Sequence, residues 1–205
     1  IIVGHDDDRV AVISRGRPTT YGELRRQVAG LRRGLTDLGL TTGDSVAIMA
    51  SNNRYFVVSY LAALGAGLVA VPLNPTNPVV AVAKELNSVG ARAVIVGPAG
   101  RAAFEGVDRA DIPTVEFVIG AGFTPDGGLS LEELSTDGSA AVVERRPDDV
   151  AVLIFTSGTA GLPRAAMLTH GNLYANIRQL LASGGDEQQP GDVVFGVLPL
   201  FHIFG

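Results

Sequence analysis
Apolar positions along the chain follow two rhythms that alternate. A short apolar stretch over 9–13 predicts a strand. Then Tyr21, Leu24, Val28, Leu31, Leu35 and Leu38 recur at three- and four-residue steps, with Arg25, Arg26, Arg32 and Arg33 largely on the other face, which predicts an amphipathic helix with a solvated arginine side. Thr20-Tyr21-Gly22-Glu23 supplies its start, because a Thr hydroxyl and a Glu carboxylate three residues on satisfy each other's backbone N–H groups. Gly39 ends it. Val46-Ala47-Ile48-Met49-Ala50 is instead an unbroken apolar run of strand length. Asn52-Asn53 can cap a helix over 54–64, stopped by Gly65-Ala66-Gly67. A strand over 68–73 follows, then a helix opened by Asn77 as its cap and Pro78 at its first position, running to 88.

Further strands are predicted over 93–96 and 114–119. Residues 121–146 are rich in Gly, Asp, Ser and Thr and read as a surface excursion with one short capped helix over 130–134. The buried-strand pattern resumes over 150–155. After it come a glycine-rich loop, a helix with Leu173, Ile177, Leu180 and Leu181 on one face, a polar turn over 184–192 and a strand over 193–198. Fully apolar strands alternating with amphipathic helices imply a layered α/β fold whose mostly parallel sheets are covered by helices on both faces. Ligands in such folds sit beyond the carboxyl ends of strands, which is where 156–164 and 199–205 fall.

Composition narrows the classes. With 46% hydrophobic and 18% charged residues, the 205-residue chain can bury a core, and disorder is excluded. Sixteen Lys+Arg against 21 Asp+Glu give a net charge of −5, and no basic run is interleaved with aromatics, so no nucleic-acid partner is expected. The absence of cysteine excludes disulfides, thiolate zinc sites and a cysteine nucleophile. Three scattered histidines give no expectation of a metal centre. No apolar segment is long enough to span a bilayer. The start, Ile1-Ile2-Val3-Gly4, lacks both an initiator Met and the features of a signal peptide, so an internal cut of a longer cytoplasmic protein is expected.

The strongest chemical signal is Thr156-Ser157-Gly158-Thr159-Ala160-Gly161-Leu162-Pro163-Arg164, with three hydroxyls and two glycines in six residues directly after an apolar strand, then a cation. Glycines let backbone N–H groups approach phosphate oxygens, hydroxyls donate hydrogen bonds and the cation offsets charge. The Walker spacing is absent, and composition alone leaves an ordinary surface loop equally open. Neither Gly65-x-Gly67, which follows a helix, nor Ser157, which lacks a Gly two residues before it, fits a dinucleotide fingerprint or a nucleophile elbow. His202, in Pro199-Leu200-Phe201-His202-Ile203-Phe204-Gly205, reads either as a packed core histidine or as a site residue. His170 reads as capping or packing, His5 as part of a solvated acidic tail, and Asp148-Asp149 as charges ahead of a strand that could also attract Mg²⁺.

The spacing at 156–164 resembles the phosphate-binding signature Thr-Ser-Gly-Thr-Thr-Gly-x-Pro-Lys-Gly of the AMP-forming acyl-CoA synthetase, luciferase and adenylation-domain superfamily. Thr156, Ser157, Gly158, Thr159, Gly161 and Pro163 match in place; Ala160 and Arg164-Ala165 depart from it. Thr20-Tyr21-Gly22-Glu23-Leu24, Gly43-Asp44-Ser45-Val46-Ala47, Gly65 through Pro75 and Leu168-Thr169-His170-Gly171-Asn172-Leu173 also look like the N-terminal half of these enzymes. The resemblance implies a ligase that uses ATP with Mg²⁺ to turn a carboxylate, a fatty acid in this reading, into an acyl-adenylate with release of pyrophosphate, then forms a thioester with coenzyme A. It assigns the phosphates to Thr156, Ser157, Gly158, Thr159, Gly161 and Arg164, with Arg164 keeping the charge of the usual Lys in a wider planar fork. It places His202 beside the acyl and phosphate sites, as the catalytic residue that orients the carboxylate, where amino-acid-activating domains carry Asp. It implies that residues 1–205 are an incomplete N-terminal portion of the AMP-binding domain, without the small C-terminal domain and inactive alone. An acyl-AMP ligase that loads a carrier protein and a catalytically silent nucleotide-binding fragment remain alternatives. Peripheral membrane contact is compatible with a lipid acid, although no basic amphipathic helix supports it.

Overall fold
The computed structural model describes residues 2–136, 138–156, 163–183 and 191–202. A hairpin of β1 (Val10–Ser14) and β2 (Arg17–Thr20) leads into α1 (Tyr21–Asp37). Then β3 (Ser45–Met49), α2 (Arg54–Gly65), β4 (Val69–Pro72), α3 (Val79–Ser88), β5 (Ala91–Val96), α4 (Arg101–Glu105) and β6 (Phe117–Gly120) alternate as the hydrophobic rhythm requires. β7 (Leu129–Ser130), α5 (Leu131–Leu134), β8 (Val150–Thr156), β9 (Arg164–Thr169) and α6 (His170–Ala182) complete the order. Among the described residues the main sheet runs β7-β6-β5-β3-β4-β8-β9, parallel throughout except for the β8–β9 pair.

Strand side chains alternate between faces, so one apolar run feeds two cores. Val46 and Ile48 of β3 and Ile95 of β5 pack with Leu24, Leu31 and Leu35 of α1 and with α2. Ala47, Met49, Val94 and Val96 pack on the other face with Val82 and Leu86 of α3 and Phe104 of α4. This double burial is why these strands are apolar throughout rather than every second residue. The connection β3–α2–β4 covers one face, and β4–α3–β5 crosses back past β3 over the other. That reversal puts a topological switch point at the carboxyl end of β3, where open α/β sheets bind ligands.

Caps form where the spacing places them. Thr20 and Glu23 make the reciprocal box at α1, and Asn53 Oδ1 accepts from the N–H groups of Tyr55 and Phe56 at α2. At α3 the expectation is off by one residue: Val79 is the first helical residue, Pro78 provides the opening carbonyl, and Asn77 instead donates through its amide to Glu85. The arginine side of α1 is not simply solvated. Arg25 donates to the carbonyls of Ile2 and His5 and pairs with Asp7, and Arg32 donates to the Ala140 carbonyl at 2.9 and 2.6 Å. His5 likewise stacks on Tyr21, with ring centroids 4.1 Å apart, rather than standing in a solvated tail. In α1, Gly30 and Gly34 are needed for close approach: a Cβ there would lie 2.4 Å from the Ser135 carbonyl oxygen and 2.5 Å from that of Leu134.

Three expectations change near the carboxyl edge of the sheet. The loop after β8 leads into β9, not directly into a helix. Residues 193–198 form no strand; β8 is already paired on both edges, by β4 and β9, and the segment runs exposed across the turn that follows β3. On α6, Leu173 is half-buried while Ile177, Leu180 and Leu181 are exposed, because the helix packs chiefly on β9.

Candidate active site
β8 carries the site. Ala151, Val152 and Ile154 are buried against Tyr60, Leu64 and Leu168, which anchors the strand, and Thr156 emerges exposed at its carboxyl end. The antiparallel register with β9 sets Thr156 directly opposite Arg164, with Phe155 opposite Ala165 and Ile154 opposite Ala166. The two ends of the loop are therefore held together, and the Arg164 guanidinium stands exposed at its neck. Ser157, Gly158, Thr159 and Gly161 lie outside the described residues. The next described element after β8 is the strand β9, and Arg164 at its start is the charge that this neck offers an anion.

His202 lies beyond a turn in which its N–H donates to the Pro199 carbonyl at 3.0 Å. Its ring is exposed and lines a cleft of about 760 Å³ together with Phe56, Tyr60 and Leu61 of α2, Leu173 of α6 and Leu200. Val152 and Ile154 of β8, the strand that ends in Thr156, form part of the same cleft. The cleft falls in the size range of small-molecule sites, and its wall is largely apolar with Asn172, Asn176 and Gln179 among the lining residues. Tyr60 stacks on Phe56 at 5.8 Å between centroids, and burial pushes its phenol above the ordinary value. An apolar body with one polar end fits such a lining.

One residue of the site escapes the sequence reading. Asn53 alone caps α2, and Asn52 instead clamps the His202 segment: its amide donates to the carbonyls of Gly196 at 3.1 Å and Leu198 at 2.7 Å, and its Oδ1 accepts from the Leu200 N–H at 2.9 Å. The signal was a second Asn where a cap needs one. His170 is the first residue of α6 behind its cap Thr169, and its Nε2 is buried without a hydrogen bond. Burial, then the nearby Arg145, holds its imidazole below the ordinary value against the pull of Asp149, which suits a packed neutral ring. Asp149 accepts from the Arg146 N–H and pairs with Arg145 and Arg146, so its charge is used within the fold. Among the described residues no three His, Cys, Asp or Glu side chains gather to hold a metal.

Comparison with known proteins bears on the family and the fold. The chain matches a family described as AMP-binding enzyme over residues 3–205. It is 30% identical to 4-coumarate--CoA ligase-like 9 of Oryza sativa subsp. japonica over 206 residues and 32% identical to 4-coumarate--CoA ligase 3 of Arabidopsis thaliana over 209 residues. Each match covers 97% of this chain and 36% of the relative, so the chain spans little more than a third of the length of these proteins. Among solved structures, a protein of Rhodopseudomonas palustris CGA009 assigned as a long-chain-fatty-acid CoA ligase superposes with a TM-score of 0.84 at 27% identity, over 95% of this chain and 48% of that one. Apo MatB from Rhodopseudomonas palustris superposes with a TM-score of 0.80 at 29% identity, over 100% of this chain and 40% of that one. A family match that runs through both the switch-point sheet and the Thr156–Arg164 neck places the protein in the AMP-binding enzyme family.

Proposed function
We propose that the intact protein uses ATP to convert an amine-free carboxylic acid with an apolar body into an acyl-adenylate, and then passes the acyl group to coenzyme A. The observation that carries this reading is the register pair Thr156–Arg164 at the neck of loop 157–162, on the strand whose buried face shares a cleft with His202. A carboxylate oxygen attacks the α-phosphorus, the bond to the β-phosphate oxygen breaks and pyrophosphate leaves. The coenzyme A thiol then attacks the acyl carbon and displaces AMP. Thr156 donates its hydroxyl to a phosphate oxygen, and Arg164 offsets the charge that grows on the leaving pyrophosphate. Ser157, Gly158, Thr159 and Gly161 supply the remaining donors of the loop in this reading. ATP would carry Mg²⁺ as its counter-ion, which would offset phosphate charge alongside Arg164. His202, held by the segment that Asn52 clamps, orients the carboxylate, and the apolar wall of Phe56, Tyr60 and Leu61 takes the body of the acid. The chain thus supplies the phosphate loop and part of the acyl site as an N-terminal portion of the adenylation domain.

The fatty acid expected from the sequence is one member of this substrate class, and the 4-coumarate named in the plant relatives is another. Carboxylate-dependent exchange between ATP and pyrophosphate separates them. The intact protein is assayed with short, medium and long fatty acids, 4-coumarate and amino acids. Stimulation by an amine-free acid and none by amino acids is expected, with His202→Ala lowering the rate. A folded protein that binds ATP yet exchanges with no acid overturns the reading.

A further inference from the structure
A second cleft, of about 390 Å³, opens at the carboxyl ends of β3, β5 and β6, on the far side of β4 from the loop after β8. Arg15, Arg17 and Arg54 line it, and the one carboxylate on its wall is Glu23. Glu23 is already engaged, accepting from the Thr20 N–H in the capping box of α1. Three guanidinium groups against one carboxylate leave a local excess of two positive charges, in a chain whose net charge is −5.

Among the described residues the side chains of Arg15 and Arg17 make no hydrogen bond or ion pair. Arg54 is positioned by neutral groups: its Nη2 donates to Tyr55 Oη at 3.1 Å, and its Cζ lies 4.6 Å from the Tyr55 ring centroid. The ring in turn fits against Gly122, where a Cβ would come within 2.9 Å of Tyr55 Oη. The Arg54 guanidinium is thereby held in place with its charge uncompensated, at the positive end of the 12-residue α2. Arg15 stands at φ 51 and Gly16 at φ 75, in the two-residue turn between Ser14 and Arg17. That turn type favours Asn before Gly, so local backbone preference does not account for an arginine there.

We propose that this cleft is a second anion site, separate from the Thr156–Arg164 neck, that binds the diphosphate group of a small phosphorylated ligand. Guanidinium forks match phosphate oxygens two at a time, and a cleft of this volume takes a diphosphate with room beside it. Free pyrophosphate and a nucleoside diphosphate both present that chemistry.

Calorimetric titration of the intact protein with inorganic pyrophosphate, and separately with ADP, tests the site. Two pyrophosphate sites are expected, one weakened by Arg164→Ala and the other by the double variant Arg15→Asn/Arg17→Thr, the latter by at least about tenfold because two charge-assisted contacts are lost. Asn is favoured at the turn and Thr in a strand, so the unfolding temperature of the double variant should hold or rise, which separates lost binding from lost structure. ADP bound more tightly than pyrophosphate at the site that the double variant weakens identifies a nucleotide as the ligand, and equal affinity identifies the diphosphate alone. A single pyrophosphate site that only Arg164→Ala weakens, or unchanged binding in the double variant, overturns the proposal.

Discussion

Arg92 at the amino end of the parallel sheet and the arginines at its carboxyl end are used in opposite ways. At the amino end, Arg92 of β5 bonds Glu116 through two nitrogens at 2.7 Å and pairs with Asp44, so its charge is consumed within the fold. At the carboxyl end, Arg164 stands exposed at the end of the β8–β9 pairing, and Arg15, Arg17 and Arg54 surround a cleft without acidic partners among the described residues. Both ends lie beside apolar strands, so hydrophobic burial does not distinguish them. What distinguishes them is where carboxylates fall in the sequence relative to strand starts and strand ends. A guanidinium with a carboxylate beside it ties strands together, and one without is available to an anion from solution.

The comparison breaks most readily at Arg164. Arg164→Ala in the intact protein should lower the rate of ATP–pyrophosphate exchange by about 100-fold, the scale of losing one preorganised donor to developing charge, with little change in the urea midpoint. Arg164→Lys should recover part of the loss. A rate unchanged by Arg164→Ala would place the cation outside the site. Asn52→Ala comes next: it removes three hydrogen bonds that hold 196–200, and about a tenfold loss of exchange is expected as His202 loses its position. Limited proteolysis should show faster cleavage in that segment.

The converse test uses the amino end. Arg92→Met should lower the urea midpoint at pH 7 while leaving exchange unchanged. Burial pushes the Asp44 carboxyl up, but the Thr41 N–H and Arg92 outweigh it and hold it below the ordinary range; Arg92 holds Glu116 down as well. Groups depressed in the folded state stabilise it above their unfolded values and lose that effect as pH falls through the folded ones. The gap between wild type and Arg92→Met should therefore be flat from pH 8 to about 5 and narrow below about pH 4. The smallest effect is expected at His170, whose imidazole is also depressed. Below about pH 6.5 the unfolded chain takes up a proton that the folded one resists, so stability falls with pH, and His170→Gln should remove that part of the slope between pH 7.5 and 5.5.

Much of this fold is legible in the sequence because its signals are local and strong. The capping box at Thr20 and Glu23, the Asn53 cap and the unbroken run 46–50 each stand where their spacing places them. The hairpin β1–β2 was only half legible, since Arg17-Pro18-Thr19-Thr20 carries little apolar signal and its pairing depends on Val10–Ser14 across the turn. β9 was missed because Arg164-Ala165-Ala166-Met167-Leu168-Thr169 suits a helix as well as a strand, and pairing with β8 decides it. At the candidate site, the sequence shows the residue types of 156–164, but the placement of Arg164 opposite Thr156 follows from antiparallel register. The clamp by Asn52 joins positions 144 to 148 residues apart in the chain, which no local pattern encodes.

The sequence by itself determined the alternation of helices and strands, the double-sided burial of the sheet and a polar, glycine-rich loop at a strand's carboxyl end. Each follows from periodicity or residue chemistry within a few neighbours, where sterics and burial act directly. Only the tertiary structure decided which charges are spent and which are free. Arg25 and Arg32 look alike on the helix, yet they are drawn to backbone carbonyls 23 and 108 residues away in the chain. Gly30 and Gly34 cost α1 roughly 0.5–1 kcal/mol each relative to Ala and gain meaning only when residues 134 and 135 dock against them. Long-range partners set these outcomes because Coulomb attraction, hydrogen bonding and close packing depend on distance in space rather than on separation along the chain.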